Sequence, residues 1–346
     1  MKKFLFYISQ NYSFAILRPI QQILLARGDE VRWFFEGNDV NPAFMSENEK
    51  LLNTVQQVKE YAADVTLATA NSIPTFIPGL KVCVFHGFDA GKVKPSGEKS
   101  HFKIRGCFDL YCTQGPNTTG PFKASQQKYQ FFNVIETGWS TLDALFKPAI
   151  EKYSNTKPTI LLCSTFSKRL SCAKTLHPLV EQLSRTGKWN WLVQFHPKMS
   201  QDVVEMYRSI QNEHLQYIQT DDIIPLLQRA DVMVCDTSSV ISMFLIQNKP
   251  VVTYKNIDPG PYLIDFDDPE LLEESIEKAL SRPSDLMQNI RAFSNQTHPY
   301  HDGGSSERVV KAIDEVLAGK HPVTKSKPWN VIKNLKYRKR LRYWKW

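Results

Sequence analysis

Long apolar runs are missing from this chain. No stretch approaches the ~20 consecutive apolar residues that a bilayer-spanning helix needs. Met1-Lys2-Lys3 followed by Phe4-Leu5-Phe6-Tyr7-Ile8 imitates a signal peptide. The run is short, however, and polar Gln10-Asn11 follows without a small-residue cleavage site. A cytoplasmic protein is expected, with any membrane contact peripheral and on the inner face of the cell membrane. Metal and redox signatures are also missing. There is no HExxH, no paired CxxC and no P-loop, and Gly28 and Gly87 do not complete a GxGxxG. Neither a metal nor a tightly bound cofactor is expected. The six cysteines (Cys83, Cys107, Cys112, Cys163, Cys172 and Cys235) stand apart, several inside apolar runs, and read as buried free thiols. Acid is absent from residues 325–346, which carry nine Lys or Arg. The remainder holds 34 basic against 35 acidic residues, so the formal charge of +8 belongs to the tail. A nucleic-acid-binding body spreads its charge over a face, and no nucleic-acid partner is expected.

The 346 residues suit two domains, and 42% hydrophobic residues suffice for packed cores. Residues 3–9 read as a strand, 14–27 as an amphipathic helix stopped by Gly28, and 30–35 as a strand. That is the unit of a parallel sheet. Further strands are expected at 65–68, 81–85, 110–112 and 133–135. The alternation restarts near 158, with strands at 159–163, 189–195, 217–218, 232–235 and 250–254. Helices are expected near 171–186, 222–229, 240–247, 269–281 and 306–318. The expected architecture is two Rossmann-like domains facing across a cleft, residues 1–150 and 151–320, with a basic aromatic tail over 321–346.

In open α/β sheets ligands bind beyond the carboxyl ends of the strands. Four polar clusters lie at such positions. His86-Gly87 ends an apolar strand, and a neutral imidazole there can take a proton from a hydroxyl near pH 7; a satisfied capping histidine is the plainer alternative. Phe195-His196-Pro197-Lys198 repeats the pattern, with His196 and Lys198 able to meet a phosphate. Asp236-Thr237-Ser238-Ser239 sits between a strand and a helix, where N–H groups and hydroxyls bind phosphate or cap the helix. Asp236 itself is more suited to ordering the loop than to touching phosphate. His301-Asp302-Gly303-Gly304-Ser305-Ser306-Glu307-Arg308 precedes another helix, either as a second nest of N–H groups or as loop and cap. The tail interleaves Trp, Tyr and Leu with Lys and Arg. It suits an anionic membrane surface, nucleic acid, or the acidic body of the protein itself, the first being preferred.

Taken in order, these clusters resemble the CDP-glycerol glycerophosphotransferase family, whose members polymerise or prime teichoic acids. The matching residues are His86-Gly87, Ser164-Thr165-Phe166, Phe195-His196-Pro197, Asp236-Thr237-Ser238-Ser239, Lys249-Pro250-Val251 and the Asp302-Gly303-Gly304-Ser305-Ser306-Glu307-Arg308 run. The resemblance implies an α/β fold of GT-B type, with His86 as base and His196 holding the donor pyrophosphate. It implies donor contacts from Gly87, Ser164, Thr165, Lys198, Asp236, Thr237, Ser238, Ser239, Gly303, Ser305, Ser306 and Arg308. CDP-glycerol, or another nucleotide-diphosphate donor, is then the substrate, and a lipid-linked or membrane-bound glycan the acceptor. Two segments depart from the family pattern. Phe88-Asp89-Ala90-Gly91-Lys92 replaces Thr-Pro-Leu-Lys, and Gly138-Trp139-Ser140-Thr141-Leu142-Asp143 lacks the arginine of Gly-x-Pro-Arg-x-Asp. Both fall in the first domain, on the acceptor side. The alternatives are a GT-B glycosyltransferase using a nucleotide sugar and a non-catalytic membrane-binding adaptor.

Overall fold

The computed structural model describes residues 1–88, 101–147, 157–220 and 222–344. Of the departing segment after Gly87, residues 89–92 lie outside this range, as does most of the seam between the domains. The chain divides into two compact units, Met1–Phe146 with His298–Trp346, and Lys147–Thr297.

The first unit contains β1 (Lys3–Ile8), β2 (Glu30–Phe35), β3 (Leu51–Leu52), β4 (Val65–Ala68), β5 (Leu80–Cys83), β6 (Leu110–Thr113) and β7 (Asn133–Glu136). They form one parallel sheet in the order β3-β2-β1-β4-β5-β6-β7. Its helices are α1 (Ser13–Ala26), α2 (Val55–Tyr61), α3 (Pro116–Tyr129) and α4 (Asp143–Phe146). The second unit contains β8 (Thr159–Ser164), β9 (Asn190–Phe195), β10 (Leu215–Tyr217), β11 (Val232–Cys235), β12 (Val251–Tyr254) and β13 (Ile264–Phe266). These are parallel in the order β10-β9-β8-β11-β12-β13. They alternate with α5 (Ala173–Arg185), α6 (Gln201–Ser209), α7 (Ile224–Arg229), α8 (Val240–Leu245), α9 (Leu272–Leu280) and α10 (Ser284–Thr297). Two C-terminal helices, α11 (Ser305–Leu317) and α12 (Val331–Arg340), belong to the first unit.

Both sheets are covered on both faces, so their central strands are continuous apolar runs. Every residue of β4, β6, β8, β11 and β12 is buried. Both strand orders reverse direction at the first strand. The switch points therefore fall between β1 and β4 and between β8 and β11, where such folds open a crevice for ligands. The short strands β3 and β13 and the helices α6, α10 and α12 were not foreseen. Two or three residues carry no periodicity, and Pro283, directly before α10, reads as a stop. All six cysteines are buried and free, and burial pushes the Cys83 thiol up to about 12.

The C-terminal boundary differs from the expected continuous domain 151–320, because the chain returns to the first unit at His298. Helix α11 buries Val309, Val310, Ala312 and Ile313 there, and its Asp314 accepts from Lys2 and Arg27 at 2.6 Å each.

The tail likewise docks on its own unit instead of trailing as a free membrane segment. The backbone N–H groups of Thr324 and Lys325 donate to the Gln130 carbonyl, at 3.2 and 3.1 Å. Lys327 reaches Asp109 at 2.7 Å, and Asn330 donates to the Gly106 carbonyl at 2.9 Å. Gly106 has φ 69° and packs on Pro328, so the contact admits no side chain there. In α12, Asn334 brackets Thr75 with two hydrogen bonds, Tyr337 bonds Ser72 at 2.6 Å, and Arg340 pairs with buried Glu36. Leu341 and Tyr343 pack against the core that contains Leu5, Tyr7 and Phe34. The outward face keeps Trp329 and Ile332, 86% and 73% exposed, beside exposed Lys336 and Lys339. Among the described residues no helix is long and apolar enough to cross a membrane.

Because one face of α12 completes a core, truncation after Ser326 is expected to lower the melting temperature and to raise binding of a hydrophobic dye. Unfolding identical to that of the full chain would show a tail without a structural role.

Candidate functional site

In the second unit the sequence-predicted residues gather at one sheet edge. Parallel strands about 4.8 Å apart end in Ser164-Thr165 (β8), His196 (β9) and the 236–239 turn (β11). Neighbouring β12 ends in Lys255-Asn256.

The organiser of this edge is Asp236. Its carboxylate is fully buried. It accepts from the Ser164 hydroxyl at 2.6 Å, from the Thr165 N–H at 3.1 Å and from the Cys172 N–H at 3.1 Å. Charge-assisted bonds of this kind are about twice as strong as neutral ones. They fix the loop from β8 to α5 against β11 across the switch point. Asp236 and Ser164, both expected among the donor contacts, are thus occupied by each other, and Asp236 acts as a positioning residue. Thr237 Oγ1 accepts from the Ile257 N–H at 3.2 Å, and Asn256 donates to the Asp236 carbonyl at 2.8 Å. The hydroxyl of Ser239, at the N-cap of α8, makes no capping bond. Ser239 is exposed, and no acid occupies the first turn of α8.

His196 is defined by one backbone bond. The Lys198 N–H donates to Nδ1 at 3.1 Å. Nδ1 therefore carries a lone pair, and the ring proton sits on Nε2. Burial, aided by the Lys198 charge, holds the imidazole below its ordinary pKa, so the neutral form prevails at pH 7. The ring packs on Phe166 with centroids 4.7 Å apart. Beside it lies a cavity of about 100 Å³ lined by His196, Pro197, Met199, Tyr217 and Thr220 among others. His196 thus presents an N–H donor, and Lys198 a nearby ammonium. Lys255 and Asn256 were not singled out from the sequence, and Phe166 was named only within the matching Ser164-Thr165-Phe166 run. The one available signal was a basic-polar pair directly after the apolar β12, where Lys255 takes φ 50°.

In the first unit His86 follows β5. The residue before it, buried Phe85, has φ 55°. A bulky side chain rarely adopts that conformation, and such strain concentrates at functional sites. His86 Nδ1 lies 3.1 Å from the Thr69 carbonyl, and the ring stacks on Tyr12 at 5.5 Å. A carbonyl only accepts, so Nδ1 carries a proton, and in the neutral tautomer Nε2 holds the lone pair. The side chain is exposed. Thr69 is itself tied to Ser13 at the start of α1 by a 2.7 Å bond across the first switch point. His86 thus offers a base and His196 a donor, from opposite tautomers. Gly87 gives the chain its turn beside His86.

The fourth cluster belongs to the first unit, and its N–H nest is filled. Buried Asp143 accepts from the Ser305 and Ser306 N–H groups at 2.8 Å each. Arg308 donates to Asp302 at 2.8 and 3.0 Å and to the Thr137 carbonyl at 2.8 Å, and covers the Tyr300 ring at 3.9 Å. That guanidinium holds the Asp302 carboxyl down to about 2. Gly303, with φ 65°, turns the loop. Ser305, Ser306 and Arg308 tie α11 to the 137–143 segment.

Residues 172–315 match the family model of CDP-Glycerol:Poly(glycerophosphate) glycerophosphotransferase. Over those residues the chain is similar to the CDP-glycerol glycerophosphotransferases. The teichoic acid glycerol-phosphate primase of Bacillus subtilis (strain 168) is 23% identical over 211 residues, 54% of this chain and 52% of the primase. The match thus spans about half of that relative. Among solved structures, S. aureus MnaA with UDP is similar at TM-score 0.66 and 16% identity, covering 95% of this chain and 100% of that one. The wall teichoic acid polymerase TagF is similar at TM-score 0.63 and 14% identity, covering 92% and 89%. These neighbours bear out the GT-B-like α/β class.

Replacing Asp236 by Asn keeps the shape and removes the charge that gathers three donors. A loss of about 2 kcal/mol in stability is expected, together with weaker nucleotide binding, read by thermal denaturation and calorimetry; unchanged stability would remove Asp236 from its organising role. A second expectation concerns His298, buried at the start of the return segment. Burial and neighbouring His301 hold it down to about 4. A base with a depressed folded pKa stabilises above its unfolded value near 6.5, and the contribution is lost as pH falls from 6.5 towards 4. Replacing His298 by Asn is expected to remove about 3 kcal/mol of that acid-side loss, seen as a flatter melting temperature between pH 7 and 4.5. An unchanged slope would show that His298 does not set it.

Proposed function

We propose that this protein transfers glycerol phosphate, or a related polyol phosphate, from a CDP-activated donor to a hydroxyl of a membrane- or lipid-linked glycan. The observation that carries the reading is the pair of opposite histidine tautomers, in a relative of this transferase family. The second unit holds the donor. The His196 Nε2–H and the Lys198 ammonium meet the diphosphate, and the free Ser239 hydroxyl and the first turn of α8 add donors. The acceptor hydroxyl gives its proton to His86 Nε2, and its oxygen bonds to the donor's β-phosphorus. The bond from that phosphorus to the bridging oxygen breaks, and CMP leaves with the electron pair. His196 offsets the charge that grows on the leaving phosphate. The outward face of α12 suits an anionic membrane carrying the acceptor. Trp329 and Ile332 meet the interface there, and Lys336 and Lys339 meet the headgroups.

The test is labelled CDP-glycerol incubated with the full chain and membrane acceptors. Transfer is expected for the wild type. His86→Ala should lose at least about 100-fold in kcat with donor binding retained, and His196→Ala should lose donor affinity as well as turnover. Absence of both transfer and CDP-glycerol binding sinks the donor assignment. Tighter binding of a UDP-sugar than of CDP-glycerol in a thermal-shift series would favour glycosyl transfer.

A further inference from the structure

The proposed transfer leaves unused a set of buried polar atoms at the carboxyl ends of β5, β6 and β7. Gln114 follows β6 and is completely buried, and neither its Oε1 nor its Nε2 has a partner. Trp139, after β7, is 7% exposed, with Nε1 unpartnered. His298 is 1% exposed and unpartnered at Nδ1, and Thr141 Oγ1 is a further orphan. Native structures leave few such groups, and an apolar side chain of the same shape would be more stable at each position.

The chain segments that carry these groups are adjacent. The Trp139 backbone N–H donates to His298 Nε2 at 3.0 Å, and the Gly138 backbone N–H donates to the Thr113 carbonyl, directly before Gln114, at 3.2 Å. Because Nε2 of His298 accepts, Nδ1 carries the proton. Trp139 and His298 therefore offer donors alone, whereas Gln114 and Thr141 both donate and accept. A matching ligand brings several acceptor oxygens and at least one hydroxyl. The surroundings are aromatic. Phe88 meets Trp139 edge to face at 5.2 Å and His298 at 6.5 Å, and Phe146 stacks on His298 at 6.1 Å. The nearby charges are already engaged, Arg308 by Asp302 and Asp143 by the Ser305 and Ser306 N–H groups. Neutral hydrogen-bonding groups between aromatic faces fit a sugar ring, which has apolar C–H faces and hydroxyl edges.

We propose that Gln114, Trp139 and His298, walled by Phe88, form the subsite for the neutral sugar of the acceptor. This rests on the glycan-acceptor reading above. It makes this corner of the first unit specificity-determining, two residues along the chain from the base His86. It also gives a role to the segment in which Trp139-Ser140-Thr141 departs from the family pattern.

The experiment uses the full chain with Gln114→Met, which keeps side-chain bulk, and Trp139→Phe, which gives up part of the indole; both remove orphan groups. The expected result is a rise of about 10-fold in KM for the membrane acceptor, with kcat and CDP-glycerol affinity held within about twofold, and for Gln114→Met an equal or higher melting temperature. A higher melting temperature with unchanged acceptor KM would show packing residues only and overturn the proposal. A fall in kcat with unchanged KM would overturn it also. The Trp139 indole N–H signal, assigned with Trp139→Phe, gives a readout independent of turnover. Methyl N-acetylglucosaminide or methyl glucoside should shift it, and inorganic phosphate or glycerol 3-phosphate should not. A shift with phosphate alone would replace the sugar by an anion and overturn the proposal. If CDP-glycerol fails to bind while the sugar shifts the signal, the donor reading fails and the subsite stands.

Discussion

A carboxylate removed from water keeps its charge only where N–H and O–H groups surround it. Asp236 meets that condition with the Ser164 hydroxyl and the Thr165 and Cys172 N–H groups, and the geometry of this edge of the second unit follows. The β8–α5 loop is drawn to the end of β11, Phe166 emerges from that loop to pack on His196, and Asn256 is bound to the Asp236 carbonyl. The first unit uses the same device at another place. Asp143 collects the first N–H groups of α11 and returns the C-terminal segment to the sheet on which it packs. In both units the negative side chain at a helix start belongs to the protein, and it has a structural task.

This separates positioning from chemistry. Asp236, Ser164, Asp143, Ser305 and Arg308 are engaged by one another or by backbone. What remains available at the strand ends is His86 Nε2, the His196 Nε2–H, the Lys198 ammonium and the Ser239 hydroxyl. The two histidines have the same local sequence character, an apolar strand followed by an imidazole and a turn, yet they present opposite functions. A single partner on Nδ1 decides each: the Thr69 carbonyl for His86 and the Lys198 N–H for His196. A neutral imidazole with one nitrogen so fixed is either a base or a donor.

Much of this was legible in the residues. Strands buried on both faces are continuous apolar runs, and β1, β8, β11 and β12 stand where such runs occur. Strand ends carry the ligand residues of doubly wound sheets, so His86, His196 and the 236–239 turn could be named from pattern. What escaped the sequence is non-local or silent. The bond from Ser305 to Asp143 joins positions 162 residues apart, and nothing near Ser305 announces it. Phe85 gives no local signal that its φ will be positive. The alternation of Lys and Arg with aromatic residues in the tail reads the same whether one face is docked or none is. Only Asn334, Tyr337 and Leu341, at spacings of three and four, hint at an inner face, and their partners Thr75 and Ser72 lie far away in the chain.

The central claim is that the two histidines are fixed in opposite tautomers at neutral pH. Long-range ¹⁵N–¹H NMR of histidine-labelled protein at pH 7.5 tests it directly, with His86→Gln and His196→Gln assigning the signals. The account predicts a proton on Nδ1 of His86 and on Nε2 of His196. The same tautomer at both positions, or an imidazolium at His196, would contradict it.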